Sequence, residues 1–310
     1  MGEPDARRRP AVWAALLAIY VIWGSTYLGI EVAMRTFPPL LMLSLRFLVA
    51  GAILYVLVGR GARPTLAHWR SAAIVGGALL LFGNGGVGLA QQSVDTGTVA
   101  LIVGSVPLWL ALLDRAFTGQ RLSRLAVVGL VVGFVGVALL VVPSGDHGDE
   151  LGGSLVALLG SLVWAAGSLY ARRAEMPAPP LAGAALQMLA GGVLLALAGL
   201  ALGEAGDVDP AGVSGETALA FVYLVVVGSL VGFSCYVWLL RSAPTALVGT
   251  YAYVNPVVAV LLGTLFLDEA LEARTLLGGG IILAAVVLIV SAKPVAAAPR
   301  RSAVAPTRAR

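Results

Sequence analysis

Charged side chains are scarce in this sequence, and so are the residues that hold metals or form disulfides. Asp, Glu, Lys and Arg make up 12% of the 310 residues, against about 25% in a typical soluble domain. The single cysteine, Cys235, excludes a disulfide within the chain, and the two histidines, His68 and His147, lie in predicted loops. A glycine-rich nucleotide-binding loop is also missing. The scarcity of charge argues against a soluble globular protein. The lack of metal-binding residues and of a nucleotide-binding loop leads us to predict no metal site and no cofactor.

The chain has instead apolar runs that are long enough to cross a membrane. Hydrophobic residues make up 59% of the sequence. Backbone groups in hydrocarbon must be paired within a helix or around a closed barrel, and runs of about 20 residues suit the helix. We therefore predict an all-α membrane protein with ten transmembrane helices. The predicted spans are residues 12–33, 40–58, 70–91, 97–117, 123–142, 151–171, 180–202, 217–239, 245–267 and 273–292.

The connections between these spans differ in charge from one side of the membrane to the other. All of the 20 Lys and Arg residues except Arg35, Arg46 and Arg274 fall on one side, in the tails or in alternate connections. Cytoplasmic loops of membrane proteins are enriched in Lys and Arg. We therefore expect a multi-pass protein of the cytoplasmic (inner) membrane with both termini in the cytoplasm. Residues 1–11 are the predicted N-terminal tail, and residues 293–310 are a predicted disordered basic tail.

The two halves of the span series repeat one pattern. A constant offset carries Trp23 onto Trp164, and Pro38-Pro39-Leu40 onto Pro179-Pro180-Leu181. Because each unit has five helices, an odd number, the second copy enters the membrane from the opposite face. This gives inverted-topology repeats, which are typical of alternating-access transporters with a site near the midplane. The predicted repeats are residues 12–142 and 151–292.

Several stretches resemble the EamA-type drug/metabolite transporters, and within them the YedA-type exporters. The stretches that carry the resemblance are Ile22-Trp23-Gly24-Ser25-Thr26-Tyr27, Pro38-Pro39-Leu40, Arg46-Phe47, residues 251–264 and Asp268-Glu269. The resemblance covers nearly the whole chain and implies ten helices, cytoplasmic termini and export of small metabolites or drugs. One position departs from the family pattern, since Gly119-Gln120 stands where the family often has Gly-Glu.

One cation is predicted deep inside a span. Arg46 lies about eight residues into span 2, or about 12 Å along a helix. A charge facing lipid at such depth is costly, so Arg46 should face the helix bundle or a wet cavity. Glu31 reaches a similar depth on the same side, so we predict that Glu31 and Arg46 approach each other. Such a pair could gate or attract anions beside the cavity, or it could simply fix helices 1 and 2.

Prolines and polar aromatic side chains mark the remaining candidate site. Pro107 and Pro256 lie near the middle of their spans and predict helix kinks, because proline cannot donate to the carbonyl four residues earlier. Irregular backbone inside a membrane is tolerated where protein or a cavity satisfies it. Aromatic side chains suit amphipathic solutes, although packing is an equally good explanation for them. The predicted substrate-binding residues are Trp23, Tyr27, Arg46, Asn84, Ser105, Trp109, Trp164, Gln187, Tyr251 and Asn255.

These features together favour a secondary transporter that exports a small organic solute. Coupling to protons and simple uniport both stay open. A membrane-embedded enzyme would need a reactive constellation that the sequence lacks, and a scaffold or sensor would need a soluble domain or a large tail. We expect a small-molecule substrate and the lipid bilayer as partners, no nucleic acid, and leave a homodimer open.

Overall fold

The computed structural model describes residues 9–59, 61, 63–118, 122–142, 148–208, 212–243, 245–248 and 250–291. Gly119-Gln120, His147 and almost all of the two predicted tails therefore lie outside the described residues. Within the described ranges, nine helices are long and apolar enough to cross a membrane, and one further apolar helix is shorter. In chain order these helices are α1 (Pro10–Met34), α2 (Pro39–Val58), α3 (Leu66–Ala90), α4 (Thr96–Phe117), α5 (Arg124–Val141), α6 (Gly148–Ala171), α7 (Pro180–Ala201), α8 (Gly215–Tyr236), α9 (Tyr251–Phe266) and α10 (Ala273–Ser291). The predicted fold class of ten transmembrane helices in two inverted repeats is confirmed.

The repeated proline pairs act as helix start signals. Pro39 and Pro180 are the first residues of α2 and α7, and the prolines before them have extended backbone, with ψ of 143° at Pro38 and 115° at Pro179. Proline suits the first helical position because its fixed φ matches the helix and its missing N–H has no partner there. The sequence repeat therefore corresponds to the same local structure in both halves.

The two halves pack through equivalent helices. The most extensive helix contacts are those of α2 with α7 and of α5 with α10, and each pair joins the same helix of the two repeats. Close approach in the first pair depends on glycine, since a Cβ at Gly51 would lie 2.9 Å from Met188 Cβ, and one at Gly192 would lie 2.9 Å from Leu48 Cγ. Small residues let helix backbones approach in a membrane, where packing rather than hydrophobicity drives association.

The third helix of each half contains a widened segment. Residues Gly77–Gly85 of α3 and Leu224–Val231 of α8 form π-helix, with backbone hydrogen bonds to the fifth residue along the chain. Such segments are rare and are frequently found at functional sites. These segments carry no signal that was predicted from the sequence, and their occurrence in equivalent helices agrees with the inverted repeat.

The two predicted proline kinks differ in the structure. In α4 a two-residue turn interrupts the helix, because its first part ends at Val103 and its second part begins at Val106. Pro107 is the second residue of the new part. In α9, by contrast, Pro256 lies inside a helix that continues from Tyr251 to Phe266. Earlier in the predicted ninth span, residues Thr245–Val248 form a short helix, and Thr250 lies in a turn.

Candidate functional site: a central cavity between the two halves

A cavity of about 120 Å³ lies between the two repeats. Its described wall residues come from α1, α2, α3 and α4 of the first half and from α6, α8 and α9 of the second. Eight of the residues that the sequence analysis singled out lie in this wall: Trp23, Tyr27, Arg46, Asn84, Trp164, Tyr251, Asn255 and Pro256. The structure thus brings residues from distant parts of the sequence to one place.

The two repeat-related tryptophans each contact the π-helical segment of the opposite half. Trp23 Nε1 donates to the carbonyl of Gly228 in α8 at 3.3 Å, and the Trp23 ring lies 5.1 Å from the ring of Tyr251 and 5.7 Å from that of Phe233. Trp164 packs directly on Gly83 in the π-helical segment of α3. The wall is therefore aromatic on both sides of the pseudo-symmetric cavity.

The Arg46 guanidinium is buried in the wall, with 3% of the residue exposed. Its Nε donates to Ser229 Oγ at 3.0 Å, and its Cζ lies 4.8 Å from the ring centre of Phe47. Nη1 is buried and has no hydrogen-bond partner among the described residues. Arg46 consequently keeps unused hydrogen-bonding capacity next to the cavity.

Glu31 and Arg46 have different neighbours in the structure. Within the described part of the chain, no ion pair joins these two residues. Arg46 extends toward Ser229 of α8, whereas the charged neighbours of Glu31 are Glu269, Arg35 and Asp95. Similar depth in two helices does not make side chains meet, because helix rotation and crossing decide which neighbour each side chain reaches.

Three predicted binding residues do not line the cavity. Ser105 Oγ lies 3.2 Å from Ser161 Oγ, and Trp109 Nε1 donates to the same oxygen at 3.0 Å. The break in α4 turns Ser105 and Trp109 together toward α6, and Ser161 is the group of this set that reaches the wall. Gln187, the repeat counterpart of Arg46, donates to Met176 Sδ at 3.8 Å and lies away from the cavity.

Several further wall residues are not among the predicted binding residues. Small or apolar side chains supply much of the wall, among them Thr26, Ile30, Phe47, Gly83, Val103, Gly160 and Phe233. Thr26 could have been found, because it directly precedes Tyr27 inside the motif of α1. Phe233 and Gly160 carry no signal of their own in a chain with 39 glycines and many apolar residues.

Two carboxylates near the predicted outer face each bind the start of a helix from the other half. Both oxygens of Glu269 accept from the N–H groups of Thr96 and Gly97 at the start of α4, at 2.8 and 3.1 Å. Glu204 accepts in the same way from Leu40 and Leu41 at the start of α2, at 3.1 and 2.8 Å. Carboxylates are stabilising there because the first N–H groups of a helix are otherwise unpaired.

Comparison with known proteins agrees with this architecture. The sequence model of the EamA-like transporter family matches residues 10–142 and again residues 151–291. The chain belongs to the EamA-like transporter family. This EamA-like protein is similar to the uncharacterized inner membrane transporter YedA of Escherichia coli strain K12. The two sequences are 40% identical over 285 residues, which are 91% of each chain. The resemblance predicted from the sequence is therefore confirmed, and the chain is a multi-pass inner-membrane protein of a transporter family.

More distant relatives cover the chain to a similar extent. The uncharacterized transporter YvbV of Bacillus subtilis strain 168 is 27% identical over 284 residues, which are 89% of this chain and 90% of the relative. Protein PecM of Dickeya dadantii strain 3937 is 26% identical over 278 residues, with 86% and 88% covered. A crystal structure with 22% sequence identity superimposes with a TM-score of 0.60 over 90% of this chain and 96% of its own, which shows a shared fold.

Proposed function

We propose that this EamA-like protein is a secondary transporter that exports small organic metabolites or drugs across the cytoplasmic membrane. The observation that carries the proposal is the central cavity, whose wall residues come from both inverted repeats. In transporters built this way, the substrate site near the midplane opens to each side in turn as the repeats move. Relatives that are named as transporters in Escherichia coli and Bacillus subtilis support the same activity.

Contacts of α1 with the end of the eighth span and the segment before α9 lie on the side that we assign to the cytoplasm. The hydroxyl of Tyr20 is hydrogen-bonded to Thr250 Oγ1. Farther from the cavity, Leu16 of α1 is fully buried in an apolar cluster with Leu239 and Val248. Export by alternating access would require these contacts to separate when the substrate enters. The distribution of Lys and Arg supports this orientation, with both termini in the cytoplasm.

Counterflow in proteoliposomes tests the proposal. Purified protein is reconstituted, loaded with one unlabelled solute and assayed for uptake of its labelled form, over amino acids, carboxylic acids, nucleosides, amines and neutral drugs. We expect at least one class to move. Ala252 lines the cavity, so Ala252→Trp should abolish the movement by filling the site.

A matched control lies on the same helix. Val257 is 43% exposed on the outside of α9, so Val257→Trp adds the same side chain without entering the cavity and should keep transport. Folded wild-type protein that moves no solute would contradict the transport proposal. Equal flux through wild type and Ala252→Trp would show that the substrate does not pass through this cavity.

A further inference from the structure

We propose that the cavity selects amphipathic organic anions, with the anionic group bound by Arg46 and the apolar body held among the aromatic side chains. This inference rests on the proposed transport function, because it names the class of solute that the transporter moves. Two observations support the inference. Arg46 is a buried cation that has no acidic partner among the described residues of the cavity wall, and aromatic side chains form much of the rest of that wall.

Arg46 is an uncompensated charge. A guanidinium stays protonated in proteins. Among the described residues that line the cavity, Arg46 alone is charged, and no Asp or Glu of the described chain lies within ion-pair distance of it. Its environment supplies a hydroxyl, Ser229 Oγ, and the face of Phe47. Neither group neutralises a full positive charge, and a buried charge that lacks a counter-charge is strongly destabilising.

The surroundings hold the guanidinium in place through Nε and leave hydrogen-bonding capacity for a ligand. Ser229 accepts from Nε. Gly228 makes room for Nη2, because a Cβ at that position would lie 3.1 Å from it. Nη1 has no partner in the described structure. A carboxylate that enters the cavity beside Arg46 would supply both the missing acceptor and the missing negative charge, and charge-assisted bonds of this kind are the strong ones.

The rest of the wall suits an apolar body. The rings of Trp23, Trp164, Tyr251 and Phe233 face the same space as Arg46. Aromatic walls also attract cations, but repulsion from a full positive charge in a medium of low dielectric constant exceeds that attraction. A small inorganic anion would leave the rings without contacts. An organic anion with an apolar or aromatic body is the class that satisfies both parts of the wall.

Three probes with one body and different head groups test the inference in proteoliposomes. The probes are 3-phenylpropionate, 3-phenylpropanol and 3-phenylpropylamine, used as labelled solutes and as competitors of any solute found by counterflow. We expect wild-type protein to move the carboxylate, or be inhibited by it, at least about tenfold better than the other two. Arg46→Gln should abolish this preference, and Arg46→Lys should retain part of it because the charge remains.

The control is Arg35→Gln, which removes an exposed arginine paired with Glu216 at 3.6 Å and should keep the preference. Thermal unfolding without substrate distinguishes a ligand-binding role of Arg46 from a structural one. Because the buried charge of Arg46 has no counter-charge in the described chain, the Arg46→Gln variant should unfold at the same temperature as wild type or at a higher one. Transport of the amine or the alcohol in preference to the carboxylate would overturn the anion assignment and leave transport established. Earlier unfolding of Arg46→Gln together with an unchanged head-group preference would also overturn it, and movement of no solute at all would contradict the transport proposal itself.

Discussion

The strongest stability prediction concerns Glu269, which joins the end of α9 to the start of α4. Both of its carboxylate oxygens accept backbone N–H groups, from Thr96 at 2.8 Å and from Gly97 at 3.1 Å. Replacing Glu269 by Ala removes both acceptors and the negative charge at the helix N-terminus. Replacing it by Gln leaves one oxygen acceptor, removes the charge and turns an NH2 group toward a second N–H donor.

The size of the effect follows from these two bonds. A hydrogen bond to a charged group contributes about 1.5–3 kcal/mol, and Glu269 is only half-buried, so the lower end of this range applies to each bond. We expect Glu269→Ala to lower the free energy of unfolding by about 3 kcal/mol and Glu269→Gln to lower it by about 2 kcal/mol. The order of stability, wild type above Gln above Ala, follows from the number of acceptors that each side chain offers to the two N–H groups.

Equilibrium unfolding in mixed micelles with increasing SDS, followed by tryptophan fluorescence, measures these differences. Glu272 is an exposed acid in the same connection, directly before α10, and no hydrogen bond of its side chain is found among the described residues, so Glu272→Gln changes the charge equally without removing a bond to a helix start. It should alter stability by less than about 0.5 kcal/mol. Equal stability of wild type and Glu269→Ala, or an equal loss in Glu272→Gln, would refute the assignment of Glu269 as the cap of α4.

Two further predictions concern the pH dependence of stability and the packing of the two halves. Burial raises the pKa of Asp95, and so do the nearby carboxylates of Glu269, Glu272 and Glu150. The folded protein therefore binds the Asp95 proton more tightly than the unfolded chain, whose Asp pKa is about 3.9. Ionisation of Asp95 consequently lowers the free energy of unfolding as the pH rises from about 4 through the folded pKa. Asp95→Asn should match wild type below pH 4 and exceed it at pH 7 in unfolding titrations, whereas an Asn variant that is less stable at pH 7 would contradict this. A Cβ at Gly76 would lie 2.5 Å from a backbone oxygen of α7, so Gly76→Ala should lower the free energy of unfolding by about 1–3 kcal/mol. The control Gly77→Ala should lower it clearly less, because a Cβ there meets only the end of a leucine side chain. Equal losses of stability in the two variants would argue against backbone contact at Gly76.

The candidate site could be predicted from the sequence only in part, and the residues show why. Trp23, Tyr27 and Arg46 lie in the cavity wall, because their type and depth in a span already argued for a polar or aromatic interior. Ser105 and Trp109 were predicted to line the cavity but lie against α6, since the interruption of α4 after Val103 changes which way the following residues face. A proline predicts that a helix is disturbed, but it does not predict whether the helix bends or breaks.

The sequence by itself predicted the ten helices and the inverted repeat, and its predicted starts at residues 40 and 180 lie within one residue of the observed starts at Pro39 and Pro180. These features are local, because a chain in hydrocarbon must pair its backbone within each helix and each span needs a fixed apolar length. Only the tertiary structure decided that Arg46 meets Ser229 rather than Glu31, and that Glu269 binds the start of α4. Such pairings depend on how helices rotate and cross, which is set by packing over the whole bundle and cannot be read from spacing along the chain.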